Sequence, residues 1–498
     1  MFESAELGHT VDKLRYRREE PRLRADLLDA QFDVGTVGKF PVILLVHGVD
    51  AAGRGETVNL LNAWMDPRHI RVRAFPEPTE EERERPFMWR YWQALPPRGK
   101  LGMLFGGWYV DPLLERAGRK GKMSDLDRAL EEIVRFEGML ANEGALILKF
   151  WLHLSKKAQK KRLESLEQDP AEKWRVTRDD WRNHERYDEL RKLAMHVLRN
   201  TSRAHAPWHV VEATDSRYRN LTVGKLLLDA MRQRVAAEKK GTRRSTSSAP
   251  PPSTPAVDGR DVLGALDMSQ KLTDAEYDKQ IAREQGRLAK LCRRKAFRDR
   301  SLIIPFEGND AAGKGGAIRR VTGALYARQY EVVPIAAPTE EERAQPYLWR
   351  FWRRIPKRGR IAVFDRSWYG RVLVERVEGF AAETDWLRAY AEINQFEEQL
   401  VRSGAVVVKL WLSISKEEQL KRFEAREKTR FKRFKITDED WRNRKKWPAY
   451  AAAVNDMVDR TSTELAPWTL VEANDKRFAR VKVLRTIADQ LEEALDRG

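Results

Sequence analysis

One block of sequence occurs twice in this 498-residue chain, and that repetition fixes most of what the chain can become. HGVDAAGRGETVN begins at His47 and EGNDAAGKGGAIR begins at Glu307. Asp50 then aligns with Asp310, Arg54 with Lys314, Trp89 with Trp349 and Trp108 with Trp368. Trp151, Trp181 and Trp208 align in the same register with Trp411, Trp441 and Trp468, and no gap is needed from 47 to 215. Each copy is long enough to bury a core of its own, so the pattern predicts two related domains and not a solenoid. It also supplies an internal control, because a residue lost in one copy can be read against its counterpart.

Each copy alternates short apolar runs with helical patterns. The expected strands are Phe40–Val46, Lys100–Phe105, Ala145–Leu154 and Trp208–Glu212 in the first copy. In the second they are Ser301–Phe306, Arg360–Asp365, Ala405–Ile414 and Trp468–Glu472. Charged helical segments open each domain, at Asp12–Asp33 and Asp274–Arg298, and another helix is expected over Trp386–Val401. Strands separated by helices predict a parallel sheet with ligand sites at its carboxyl edge. The expected fold class is α/β, as two tandem P-loop kinase-like domains, each a three-layer α/β/α stack. The predicted division is a degenerate domain over 1–240, a Ser/Pro-rich linker over 241–260 that cannot form a core, and a catalytic domain over 261–498.

A net charge of +19 points to an anionic partner. No nucleic-acid recognition module appears, so nucleic acid is not the expected partner. No apolar run is long enough to cross a membrane, and the first twenty residues lack the apolar stretch of a secretory signal, so a cytoplasmic location without membrane attachment is expected. The single cysteine, Cys292, leaves neither an internal disulfide nor a cysteine-built metal site. A homo-oligomer remains open.

The second copy carries the chemistry. Gly308-Asn309-Asp310-Ala311-Ala312-Gly313-Lys314 has the spacing of a phosphate-binding loop, after a strand and before a helix. Backbone N–H groups of such a loop, with the helix dipole behind them, favour an anion, and Lys314 adds a mobile charge for the phosphoryl group in transfer. The usual Ser or Thr that carries magnesium is replaced by Gly315, followed by Gly316. A metal must then use other oxygens, and Asp310 with Asp365 is the natural pair for Mg2+. Arg366 and Arg371 flank Asp365 in VFDRSWYGR and suit phosphate oxygens. The interleaved tryptophans, Trp349 and Trp352 among them, read as core because both copies keep them. From Glu424 to Lys435 six basic residues face two acidic ones, whereas Glu164 to Arg175 holds two basic and four acidic. This reversal of sign predicts a basic lid near 424–441 over a multiply charged substrate.

The first copy has lost these features. Arg54 stands for Lys314, Glu56 for Gly316, Phe105 for Asp365 and Gly106 for Arg366. Four changes at one site predict that it does not transfer phosphate.

The motifs EGNDAAGKGG, APTEEERAQPYLWRFW, VFDRSWYGRVLVERVEG and KLWLSISKEEQLKRF, with the basic run and DWRNR after them, resemble the polyphosphate kinase 2 family over nearly all of 300–475. The tandem arrangement with a degraded first copy is similar to that family's two-domain subgroup. The resemblance implies magnesium-dependent transfer of a phosphoryl group from inorganic polyphosphate to AMP, giving ADP. It assigns Asp310 and Lys314 to the phosphate loop and Asp365 and Arg366 to a second acidic motif. Gly308, Ala311, Ala312, Gly313, Gly315 and Gly316 complete the substrate-binding loop. Arg371, Glu375 and Arg376 fall in the helix that follows, and Lys428, Arg430, Lys432 and Arg433 in the lid. An ATP-dependent nucleotide kinase shares the same loop, fold and metal, and a polyphosphate-driven kinase for nucleoside diphosphates is the other alternative.

Overall fold

The apolar runs become parallel strands because their side chains are buried on both faces, which suits strands covered by helices on each side. The computed structural model describes residues 1–118, 121–241, 261–430 and 436–497. In the first copy the strands are β1 (Val42–Gly48), β2 (Ile70–Ala74), β3 (Leu101–Phe105), β4 (Leu146–His153) and β5 (Trp208–Glu212). They lie in the order β2-β3-β1-β4-β5, all parallel. The second copy repeats this with β6 (Ser301–Gly308), β7 (Tyr330–Pro334), β8 (Ile361–Asp365), β9 (Ala405–Val407), β10 (Lys409–Ser413) and β11 (Trp468–Glu472). There β9 and β10 flank Val408 and both pair with β6, so the expected single strand over Ala405–Ile414 is interrupted once.

Alternation along the strands divides each sheet between two helical layers. Val42, Leu44 and Val46 of β1 and Leu148, Phe150 and Leu152 of β4 pack on the helices Lys13–Val37, Arg54–Trp64 and Ser216–Lys239. Lys149, between two of those residues, points the other way into the helix Met123–Asn142. There it donates to Glu137 at 2.7 Å and to the Tyr109 hydroxyl at 3.0 Å. Lys409 repeats the arrangement with Glu397 at 2.8 Å and Tyr369 at 2.9 Å. These charges are fully buried, so each is tolerable only while its partner is present. The second network also takes Trp368 Nε1 at 2.9 Å, and so anchors the turn that leaves β8.

The described residues form two compact units that do not follow the halves of the chain. One comprises Met1–Pro78, Arg90–Thr246 and Thr339–Trp349; the other comprises Thr79–Trp89, Ser247–Pro338 and Arg350–Gly498. The predicted linker falls almost wholly on 242–260, outside the described residues.

Candidate active site

β6 delivers the phosphate loop, and its glycines sit where only glycine serves. Gly308 has φ +148°, and a Cβ there would stand 2.4 Å from the Leu412 carbonyl oxygen. Gly313 has φ +106° and caps the helix Lys314–Thr322. The loop carbonyls are engaged by a neighbouring helix: Gln419 donates to Asp310 at 3.2 Å, and Arg422 donates to Ala311 and Ala312 at 3.0 and 3.1 Å. Lys314 Nζ donates to the Gly308 carbonyl at 2.7 Å. Burial pushes its pKa down, against the pull of Asp310.

β8 ends at Asp365, level with Phe306 of β6. The next residue, Arg366, adopts φ +65°, a left-handed conformation that costs a non-glycine residue energy. Its guanidinium comes within 3.6 Å of Asp310. Burial opposes the Arg366 charge, but Asp310 and Glu307 outweigh it and raise the pKa. Ser367 Oγ donates to Glu307 Oε1 at 2.8 Å, and burial pushes the Glu307 pKa up. On the other side of the loop, Asn443 Nδ2 fixes Asp310 Oδ2 at 2.9 Å.

Two cavities meet on this frame. The larger, about 590 Å3, is lined by the loop from Asp310 to Gly316 together with Asp365 and Arg366. Its charged lining is Lys314, Arg319, Arg366, Arg422, Arg426, Lys476 and Arg480 against Asp310, Asp365 and Asp440, an excess of four positive charges. The smaller, about 90 Å3, lies between Gly308, Trp411, Leu373, Asn443, Trp447 and Tyr450. Asp310, Lys314 and Arg366 belong to both.

The sequence-predicted residues Gly308, Asp310, Ala311, Ala312, Gly313, Lys314, Gly315, Gly316, Asp365 and Arg366 thus converge on one place. Three others, Arg371, Glu375 and Arg376, line neither cavity. Arg371 pairs with Glu375 at 2.9 Å, and Arg376 pairs with Asp456 at 2.6 Å and lies over Trp386. Lys428 and Arg430 are exposed, while Lys432 and Arg433 lie outside the described residues. Sequence reading passed over Arg319, Lys476 and Arg480 and counted Arg426 only as a lid charge, although the internal control marks all four. Their first-copy counterparts are the uncharged Asn59, Leu166, Ser216 and Asn220. It also passed over Asn443, which the first copy repeats as Asn183.

In the first copy the equivalent cavity, about 920 Å3, persists, but its loop charges are paired with one another. Arg54 folds onto Asp50 at 2.8 Å. Glu56 occupies the anion-binding end of the loop and gathers Arg162, Arg175 and Arg219 at 2.9, 2.6 and 3.0 Å. Burial works against the Glu56 charge, yet these arginines hold its pKa below the usual carboxylate range. His47 replaces Glu307, and burial brings its pKa down to about 3.

Strand order, loop and converging charges define a P-loop kinase-like domain present twice, with one site intact and one internally neutralised. The family model of polyphosphate kinase 2 matches residues 10–239 and again 271–497, and the chain belongs to that family. It is similar to the polyphosphate:AMP phosphotransferase of Pseudomonas aeruginosa, at 58% identity over 99% of both chains. The protein of the same name from Acinetobacter johnsonii is 41% identical over 96% of this chain and 97% of its own. A Pseudomonas aeruginosa PA01 crystal structure assigned to polyphosphate kinase 2 covers 100% of both chains with a TM-score of 0.90 and 55% identity.

Proposed function

We propose that this chain is a phosphotransferase that moves a phosphoryl group from inorganic polyphosphate to AMP, giving ADP. The observation that carries the reading is the pair of cavities sharing Asp310, Lys314 and Arg366. One has the size and charge for a chain of phosphates, and the other has aromatic walls that suit a nucleoside. The names of the most similar relatives support the same donor and acceptor.

The chemistry asks little beyond placement. The phosphate of AMP is already ionised near neutral pH, so its attacking oxygen needs no base to remove a proton. The task is to bring two anions together and to absorb the charge that shifts during transfer. Lys314 and Arg366 stand where both cavities open and neutralise the phosphoryl group between them. Asn443 orients the Asp310 carboxylate, and Arg422 with Gln419 holds the loop in shape.

Magnesium is the metal this donor set fits. Asp310 and Asp365 line the larger cavity, and among the described residues no group of three or more His, Cys, Asp or Glu could hold a metal ion. Two carboxylates with substrate phosphates and water match the way magnesium is usually bound. Asp310 and Asp365 would hold it, and the ion would supply further charge neutralisation on the phosphates. Among the described residues no helix is long and apolar enough to cross a membrane, and we place the reaction in the cytoplasm.

The test is product analysis with purified protein, magnesium, long-chain polyphosphate and AMP. ADP is expected, with far slower formation when ATP replaces polyphosphate. Equal use of ATP as donor would favour an ATP-dependent nucleotide kinase and end this reading.

A further inference from the structure

The first copy has lost the phosphate half of its site but has kept the other half. A cavity of about 160 Å3 lies at the carboxyl end of β4, lined in part by Asp50, Leu113, Trp151, Gln159 and Asn183. In the fixed register these stand at the positions of Asp310, Leu373, Trp411, Gln419 and Asn443, all of which line the small cavity of the second copy. Asn183 Nδ2 donates to Asp50 Oδ2 at 2.9 Å, the distance seen between Asn443 and Asp310.

Two polar atoms of this cavity are buried without a partner. Trp151 is 7% exposed and His153 is 0% exposed, and neither Trp151 Nε1 nor His153 Nδ1 makes a hydrogen bond. Leaving such atoms unmatched costs about 1–3 kcal/mol each. The two residues are two apart on one strand, so they face the same side. His153 Nε2 is 2.6 Å from the Glu6 carboxylate and donates its proton there. Nδ1 of the neutral ring is then an acceptor, while the indole Nε1 is a donor. The cavity lining therefore includes one buried donor and one buried acceptor from the same face of β4. An adenine presents the complementary pair on one edge, N7 as acceptor and the N6 amino group as donor.

Charge decides the rest. The second-copy cavity opens onto Lys314 and Arg366, but here Arg54 is spent on Asp50, and Gly106 stands in place of Arg366. Arg191 at the rim is shared with the Glu3 and Glu6 carboxylates. Nothing in this cavity offers an uncommitted cation to a phosphate.

We infer that the first copy holds a binding site for an uncharged adenine nucleoside, separate from the catalytic site and unable to take polyphosphate. The inference rests on the nucleoside reading of the small second-copy cavity, and the test separates the two. Equilibrium dialysis of the full-length protein against adenosine, with saturating AMP present to fill the catalytic site, is expected to show one adenosine per chain. Guanosine, which offers two acceptors on the matching edge, is expected to bind more weakly. Trp151→Phe removes the indole donor while keeping an aromatic ring and is expected to weaken adenosine about 2–10-fold. Ala117→Trp fills the half-buried lip and is expected to abolish that site while ADP formation from AMP and polyphosphate continues. No adenosine bound beside saturating AMP would overturn the inference. So would undiminished binding by an Ala117→Trp protein that melts like the wild type. A failed nucleoside reading of the second copy would show instead as adenosine that AMP fails to displace from a second position.

Discussion

The two phosphate loops share a backbone path and differ in where their charges go. In the second copy Lys314 bonds to the Gly308 and Asn309 carbonyls, and Arg366 stands 3.6 Å from Asp310. In the first, the loop arginine is paired with Asp50, and Glu56 holds three more arginines at the end of the loop. The first loop keeps its fold while its charges are satisfied internally. Position 106/366 shows the same trade in the backbone. Both residues have positive φ, but the first copy has glycine there and the second keeps an arginine in a strained conformation. Such strain persists where the side chain is needed.

The largest effects should come from the network the copies share. Lys409→Met and Lys149→Met each leave a buried glutamate without its cation, and each should destabilise its own unit by about 3–5 kcal/mol. Calorimetry of both variants checks this, and the comparison breaks if only one of them melts early.

Next come the residues that differ. Lys314→Ala and Asp365→Asn should each lower turnover by about 10²-fold or more, the scale for a lost transition-state partner. Arg54→Ala should leave turnover unchanged. Steady-state rates on all three variants decide whether catalysis belongs to the second copy alone.

Arg366→Gly installs the first-copy residue and separates activity from stability. Turnover should drop by about 10²-fold, while thermal stability holds or rises by about 1 kcal/mol as the strain is relieved. A variant that loses both would mean that Arg366 is structural.

Position 47/307 sharpens the contrast through pH. His47 titrates near 3 when folded, well below an unfolded histidine near 6.5. The unfolded chain binds the proton first, so its unit loses stability as pH falls from about 6.5 toward 3, by up to about 1.4 kcal/mol per pH unit. Glu307 is raised, so the stability from its neutral form is present below about 4.3 and is lost as pH rises through its folded value. His47→Gln should flatten the acid limb of the first unit's stability profile, and Glu307→Gln should remove the loss that sets in above about pH 4.3 in the second.

The smallest effect is expected at the lid. Lys428→Gln with Arg430→Pro, the first-copy residues, should raise the KM for polyphosphate a few-fold and weaken its salt dependence, because exposed charges are screened over about 8–10 Å. Unchanged kinetics at low and high salt would return this run to a solvated helix face.

Much of this was legible in the sequence. The buried strands were, since apolar runs such as Phe40–Val46 have no other place to go, and the loop was, since its spacing is the chemistry. The edge strands Ile70–Ala74 and Tyr330–Pro334 were not. Their residues are mostly exposed and carry no apolar signature, and pairing with β3 and β8 alone makes them strands. The basic lining of the large cavity was scattered over three helices, so no local run announced Arg319, Lys476 or Arg480, and Arg426 was legible only as one charge of the basic run. Arg376 shows what a motif leaves out: its place in the sequence suggests substrate binding, while its contacts in the fold are Asp456 and Trp386.

Segment Thr79–Trp89 carries a further consequence. It is encoded within the degenerate copy but belongs to the unit that holds the intact loop. There the Glu84 carbonyl accepts from the Arg358 N–H at 3.2 Å, Glu84 meets Lys357 at 3.0 Å, and Arg85 Nε donates to the Ile355 carbonyl at 3.1 Å. A gene trimmed to its second half would therefore encode an enzyme missing a piece of itself. Deleting the first copy would also remove a segment that belongs to its neighbour, because part of its text is spelled into the other unit.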